Sequence, residues 1–587
     1  MKRWSAALVV ALAGTAVAGS NASASSKPAA GKYGGEVTVG IGDAFPAWCV
    51  ANIPNHSALG GFRLIFEQLF ERTPAGEYVG NLAESGTPSG DFKTWTIKLR
   101  SGIKFHNGED FNAEAVKLNV DMNSGWYMTV GNPAGNPTYT AGYYSTGVGV
   151  NANIVSVEVK DPLTVQFNLD RSQNDFLGTM YRAGRYVMRA PAQLKDKASC
   201  GNKPIGTGPF KWVSNTADEL IVEKNPDYWR TDPRTGAKLP YLDKVTFVNI
   251  KEPSQRAAAV RKGTIDVASF ATADATFVKG LQSQKSKVAE YKSQTLWWGQ
   301  WMPNVNKVGS PFKYKNCRLA AAYSIDWKSY NKVRLKGMGL YNGSIVAKSH
   351  PMYTLAGAPK FNLAKAKEYL TACNAELGAA GPMKITLYAD TSTQSQNNTK
   401  FLRQQMSAAG IQFNNDYIAE ATVLISKIYN ATKGSNDFDF AQGTPAEGGD
   451  SAYVAPFFLS KAFPANAKSP VYSATATSGA QPGYVGKYFN TVIALGNHGD
   501  TKVDDLIYAA QADANPATAK AKWKAATEYL QSEGYTIPSI HGTFYTFVNK
   551  ASKLGGIGKL PIGLTKNKFP AVVTNKGLDL TGIWKNK

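Results

Sequence analysis

Cysteine is scarce, with four residues in a chain of 587, and that excludes the disulfide-dense scaffolds that hold small secreted domains together. Histidine is nearly as rare. His56, His106, His350, His498 and His541 are widely spaced, so no zinc or metalloprotease motif can be drawn through them. Acidic residues are the short side of the charge balance: 43 against 65 basic ones, a formal charge of +22. The lysines are scattered in ones and twos without zinc-finger spacing or an aromatic-plus-basic RNA motif, which argues against nucleic acid as a partner. A diffuse positive field suits anionic surfaces and solutes. Beyond the N-terminus no segment approaches the roughly 20 apolar residues that cross a bilayer. Also missing are a G-x-S-x-G elbow, a C-x-x-C pair, a completed phosphate loop and a dinucleotide fingerprint, so no catalytic residue is assigned.

What is present is the composition of a packed globular protein, 43% hydrophobic and 11% aromatic. Its length calls for two to four domain-sized units. Lys2 and Arg3 precede an apolar run from Ala6 to Ala18, and Ala22-Ser23-Ala24 offers the small residues that a signal peptidase reads. Residues 1–24 are therefore expected to be a cleaved signal peptide. No cysteine follows that could take a lipid, so a soluble exported product is expected. Periplasmic residence is favoured, with secretion as the alternative.

Local patterns give the elements. Trp95, Ile97 and Leu99 alternate with polar residues, the period of a half-buried strand. His106-Asn107-Gly108 supplies a turn, and Asn112 a helix N-cap with Glu114 in the first turn. Glu36 to Gly40 reads as a short, edge-like strand, and Ser57 to Phe70 as an amphipathic helix. Residues 124–153, rich in Gly, Asn and Tyr, read as a surface excursion. Ile154 to Val159 and Leu163 to Leu169 read as a hairpin, and Pro204-Ile-Gly-Thr-Gly-Pro-Phe210 as a rigid turn in which glycine permits close backbone approach. Asn316 to Lys332, Ala364 to Leu370 and the stretch opened by Asn515-Pro516 read as helices. Trp297, Trp298 and Trp301 place three indoles in five residues, and Trp48 stands beside Phe45 and Pro46. Each could line a concave surface or fill a core.

The string WTIKLRSGIKFHNGEDFNAEAV, Trp95 to Val116, closely resembles a signature of the solute-binding proteins that serve peptide/nickel-class ABC importers, extracellular solute-binding protein family 5. Further blocks follow in the family's order: Asn81-Leu-Ala-Glu-Ser85, Pro204 to Phe210, Val222-Glu-Lys-Asn-Pro-Asp-Tyr-Trp229, Pro240 to Lys244, Lys262 to Asp266, and Pro311 through Asp326. The resemblance implies an α/β chain of the periplasmic-binding-protein type II fold, two lobes with an interlobe ligand cleft plus an extra α+β subdomain. Lobe I would comprise 34–64, 191–272 and 540–587, the subdomain 65–190, and lobe II 273–539. It also favours Cys49 with Cys200 and Cys317 with Cys373 among the three possible pairings, since each pair then lies within one lobe.

Peptide-binding relatives pair an acidic residue of a GWxxDxxDP segment with the peptide amino terminus. Here that segment is Gly443 to Asp450, with Thr444 at the tryptophan position, Glu447 at the acidic one and Asp450 as the later acid. The implied function is capture of a peptide or amino-bearing solute for the permease and ATPase of an ABC importer, by a monomer without a cofactor. A metal-chelate or oligosaccharide receptor is the alternative within binding proteins, and a secreted hydrolase the alternative from another class.

Overall fold

The computed structural model describes residues 33–42, 48, 59–73, 75–124, 153–181, 184–196, 203–293, 300–305, 307, 309–348, 350–391, 393–419, 424, 438–443, 451–455, 458–459, 500–562 and 577–585. The expected signal peptide, most of the 124–153 excursion and the Cys49–Cys200 pair lie outside the described residues.

A seven-stranded sheet anchors the first half of the fold. Its order is Phe210–Asn215, Glu219–Lys224, Lys244–Asn249, Glu36–Ile41, Val267–Ala271, Phe544–Asn549 and Val288–Lys292. Glu36–Ile41 is central, paired in parallel with Lys244–Asn249 and Val267–Ala271, not at the edge as its short length suggested. Its partners lie over 200 residues away, beyond the reach of a local pattern. Val37, Val39, Ile41, Phe247, Leu578 and Leu580 belong to the core on one side of the sheet. On the other, Val260, Ala268, Phe270, Val278 and Phe547 pack beneath two helices, Pro253–Lys262 and Ala275–Gln282. Val288–Lys292, which the expected boundary at 273 gave to the other lobe, closes the edge of this sheet.

A separate four-stranded antiparallel sheet, Ala83–Pro88, Thr94–Leu99, Thr164–Leu169 and Ile154–Asp161, forms the body of the 65–190 region. Trp95, Ile97 and Leu99 share one buried core with Val116 and Val120 of the helix Ala113–Ser124. Asn112 Oδ1 caps that helix, accepting from Ala115 N at 3.0 Å. The helix expected over 57–70 is observed only as Leu59–Ile65. After it the chain turns extended, because Glu67–Gln68 pairs with Val187–Met188 and Phe70–Arg72 with Tyr78–Gly80.

The remaining half packs helices Lys315–Ser324, Trp327–Arg334, Leu363–Leu377 and Thr393–Ala409 around a three-stranded sheet, Phe440–Gly443, Gln300–Pro303 and Ile537–Pro538. The single helix expected from 316 to 332 is broken at Ile325, since Asp326 begins a new one by accepting from Lys328 N and Ser329 N. Asn515 caps Pro516–Ser532 as its sequence implied.

A disulfide joins Cys317 to Cys373 across two of these helices, with both residues fully buried. Their separation of 56 residues makes the loop-closure entropy worth about 4 kcal/mol. Cys317→Ala/Cys373→Ala is expected to lose roughly that much in a urea titration. A loss below about 1 kcal/mol would show that helix packing alone holds this region.

Candidate functional site

The seven-stranded and three-stranded sheets are joined twice. The chain leaves the seven-stranded sheet at Lys292 and enters the three-stranded one at Gln300; it returns from Pro538 to Phe544. Gln300 pairs with both Gly443 and Pro538. The segments 294–299, 444–450 and 539–543 therefore depart from one end of the three-stranded sheet. Ala271 pairs with Phe544 and Tyr545 with Lys292, which puts the same connections at the C-terminal ends of the parallel strands. Open α/β sheets bind ligands at that end.

Side chains there hold the strand ends together. Arg256, buried, donates from Nη1 to Ile250 O at 2.5 Å and from Nε to Ser269 O at 3.0 Å. Its guanidinium lies 3.5 Å from Asp274 and stacks 4.8 Å over the Phe270 ring. Thr272 Oγ1 donates to Thr543 O at 3.0 Å and accepts from Thr543 N at 2.7 Å. Next to it, Ser293 N donates to Phe544 O. The crossing chains are thus tied to the first sheet at the point where they leave it.

The seven expected site residues fall into two groups. Trp297, Trp298, Thr444, Glu447 and Asp450 lie outside the described residues, on two of the connections just named. Trp48 and Trp301 are interior. Trp48 is 2% exposed, stacks on Phe62 and donates from Nε1 to Asn215 Oδ1 at 2.9 Å. Trp301 is 4% exposed, its ring centroid 5.1 Å from Phe440 and 6.4 Å from Trp327. Both rings take the core option left open by sequence, because aromatic neighbours enclose them on their own side of the molecule.

Sequence reasoning overlooked Glu67. Its buried carboxylate accepts from Tyr228 OH at 2.9 Å, Trp229 Nε1 at 2.9 Å and Thr207 Oγ1 at 3.0 Å. Burial raises its pKa, while these bonds and nearby Arg230 pull it down. Two signature blocks, Pro204–Phe210 and Val222–Trp229, thus converge on one acid. The cavity beside it, bounded by Arg63, Glu67, Glu71, Tyr228, Arg230 and Asp579, has a volume of about 50 Å³. That holds a water or two, whereas organic ligands need about 300 Å³ or more. This cluster is a structural junction.

His106 is a hydrogen bonder of the same junction. Gly206 N donates to its Nδ1 at 3.4 Å and its Nε2 donates to Gly208 O at 3.0 Å, an arrangement that keeps the imidazole neutral. Desolvation lowers its pKa to about 4.

Residues 77–466 match the bacterial extracellular solute-binding proteins, family 5 Middle. The chain is 25% identical over 509 residues to the glutathione-binding protein GsiB of Escherichia coli, covering 86% of this chain and 88% of that one. With GsiB of Salmonella typhi it shares 29% over 334 residues, 56% and 59% of the two chains. Among solved structures it is similar to the binding protein AgaA of A. tumefaciens in complex with agropinic acid, at a TM-score of 0.72, 20% identity, and 94% and 99% coverage. It is equally similar to DppA of Helicobacter pylori in complex with the peptide STSA, at 0.72, 20%, and 95% and 99%. These likenesses establish the two-lobed type II periplasmic-binding fold. No helix among the described residues is long and apolar enough to cross a membrane. Ordered signature blocks, a twice-crossed pair of sheets and a match over most of the chain converge: this protein belongs to family 5 of the bacterial extracellular solute-binding proteins.

Proposed function

We propose that this protein is exported, captures a small peptide-like or amino-bearing solute between its lobes, and hands it to the permease and ATPase of an ABC importer. One observation carries the reading. Gln300 pairs with Gly443, so the connections that carry Trp297-Trp298 and Thr444, Glu447 and Asp450 start from the same end of adjacent strands. Indoles suited to stacking and carboxylates suited to an ammonium group are thus carried on connections that start from neighbouring strand ends. A carboxylate closed into a cleft without a cation costs several kcal/mol, which favours solutes carrying a free amino group. Likeness to a glutathione-binding protein over 86% of the chain agrees with a short peptide. Nothing favours the hydrolase, chelate or oligosaccharide alternatives.

Native mass spectrometry of the gently purified protein, followed by denaturation, tests the reading by identifying any released solute. Calorimetry with reduced glutathione and trialanine then tests the site. Glu447→Gln is expected to weaken both by about 1.5 to 3 kcal/mol, the range for a hydrogen bond to a charged group, and to leave N-acetylated trialanine unaffected. Equal losses for free and acetylated peptides would remove Glu447 from amine recognition. Silence across peptides in both experiments would overturn the peptide assignment.

A further inference from the structure

The 65–190 region does more than pack against the first sheet; it reaches across to the opposite lobe through two residues. Asn174 and Asp175 stand between the strand Thr164–Leu169 and the helix Phe176–Tyr181. The Asn174 backbone N–H donates to Gln511 O at 2.8 Å. Its side-chain Nδ2 donates to Ala510 O at 3.0 Å and Asp513 O at 2.8 Å. All three carbonyls belong to the C-terminal end of the helix Thr501–Gln511 or the turn that follows, where the helix has no internal donors left to offer. Asp175 accepts from Ser451 Oγ at 2.7 Å and from Gln511 Nε2 at 3.3 Å. Ser451 and Gln511 are 8% and 7% exposed. Arg171 adds its guanidinium 5.0 Å over the Tyr508 ring.

We propose that Asn174 and Asp175 form a latch by which the extra subdomain holds the opposite lobe closed over the cleft. Five hydrogen bonds and a cation–ring contact span elements 276 to 339 residues apart in sequence, and among the described residues no disulfide or strand pairing joins them locally. Lobe opening about the two crossings at 293–299 and 539–543 separates these partners first, because they lie on elements that the crossings do not tie. Each bond is exchanged for one to water on opening and is individually weak. Acting together, they bias a two-state opening equilibrium by about an order of magnitude or more. The Ser451 end of the latch directly follows Asp450. If the proposed role of the 444–450 segment holds, a solute engaged there steadies the residue that Asp175 grips, and solute retention and latch closure reinforce each other.

Small-angle X-ray scattering of the solute-free protein tests the latch without reference to any ligand. A compact chain of this length has a radius of gyration near 25 Å. Asn174→Ala and Asp175→Asn are each expected to raise the measured value by about 1 Å, a modest opening on that compact scale. In Asp175→Asn, hydrogen exchange at the Asn174 amide should accelerate at least about tenfold, as expected when a locally protected bond opens, while that of Ile97 in the subdomain core stays unchanged. Unaltered scattering and exchange in both variants would overturn the latch. Should one variant fail to fold, the other carries the test. A parent protein that binds neither glutathione nor trialanine, with variants that still show the larger radius and faster exchange, would overturn the proposed function and support the latch.

Discussion

Gly206→Ala is expected to destabilise the protein by at least about 4 kcal/mol, a class of loss reached by few single substitutions. A Cβ at Gly206 would lie 2.1 Å from Ile65 O and 2.7 Å from the Phe66 ring. At Gly208 it would lie 2.4 Å from Leu64 O and 2.6 Å from Ile65 O. The obstacles at both sites include main chain, which has no rotamer by which to yield, so relief requires moving a backbone segment. That segment cannot move cheaply. Gly208 N donates to Ile65 O at 2.9 Å, and two residues further on Glu67 is held by Tyr228, Trp229 and Thr207. Shifting Ile65 would leave a buried carboxylate short of donors, adding a desolvation penalty to the steric one. Gly280→Ala is the control. It lies in the exposed face of a helix with nothing within 4 Å of its Cβ direction, and is expected to stabilise by about 0.5 to 1 kcal/mol. Guanidinium unfolding followed by tryptophan fluorescence measures both. A Gly206→Ala protein as stable as the parent would refute this account of the signature.

The elements legible in sequence are those whose cause is local. The alternation of Trp95, Ile97 and Leu99 produced the strand Thr94–Leu99, and the caps at Asn112 and Asn515 start the helices they announced. The glycine turn at 204–210 announced close backbone approach, though not to which backbone. Where reading failed, the deciding partner is remote. Glu67 and Gln68 continue a helical apolar pattern, yet Val187–Met188, more than 100 residues on, draws them into a sheet. Glu67 itself is a lone acid in sequence, and its partner Tyr228 lies 161 residues away. Asp175 is equally unremarked, with partners 276 and 336 residues distant. The break at Ile325 was visible in principle, since Asp326 is a strong N-cap residue standing inside the expected helix. For the tryptophans no local rule chooses between core and cleft. Trp48 and Trp301 found aromatic partners within their own lobes, and such partners are fixed only by the tertiary fold.

Acid should loosen the protein through His350, and the expected effect is several kcal/mol. Its ring is 2% exposed. The Met352 N–H donates to Nδ1 at 3.1 Å, which places the single proton on Nε2 and makes the buried ring neutral. Burial, reinforced by the positive charge of Arg72 and by His541, pushes its pKa down to about 3, against about 6.5 in an unfolded chain. A base with a depressed folded value binds fewer protons folded than unfolded. Its stabilising contribution is therefore complete above pH 6.5 and is lost as the pH falls toward 3, by about 1.4 kcal/mol per unit. Between pH 6.5 and 4 this amounts to roughly 3 kcal/mol. Carboxylates such as Glu67, whose pKa is raised by burial, act in the opposite direction, so the informative quantity is the difference from a variant lacking the imidazole. Relative to His350→Gln, the parent should lose roughly 3 kcal/mol on acidification from pH 6.5 to 4 in parallel urea titrations; a constant gap would show that His350 titrates normally. Arg72 stands on the strand Phe70–Arg72 of the subdomain, while His350 belongs to the region whose core includes Ile345, Val346, Met352 and Trp523. A proton on His350 thus sets two positive charges against each other across the seam that Asn174 and Asp175 close elsewhere. Hydrogen-exchange protection near residues 345–353, corrected for the intrinsic rate at each pH, should fall in acid before that of the core of the seven-stranded sheet.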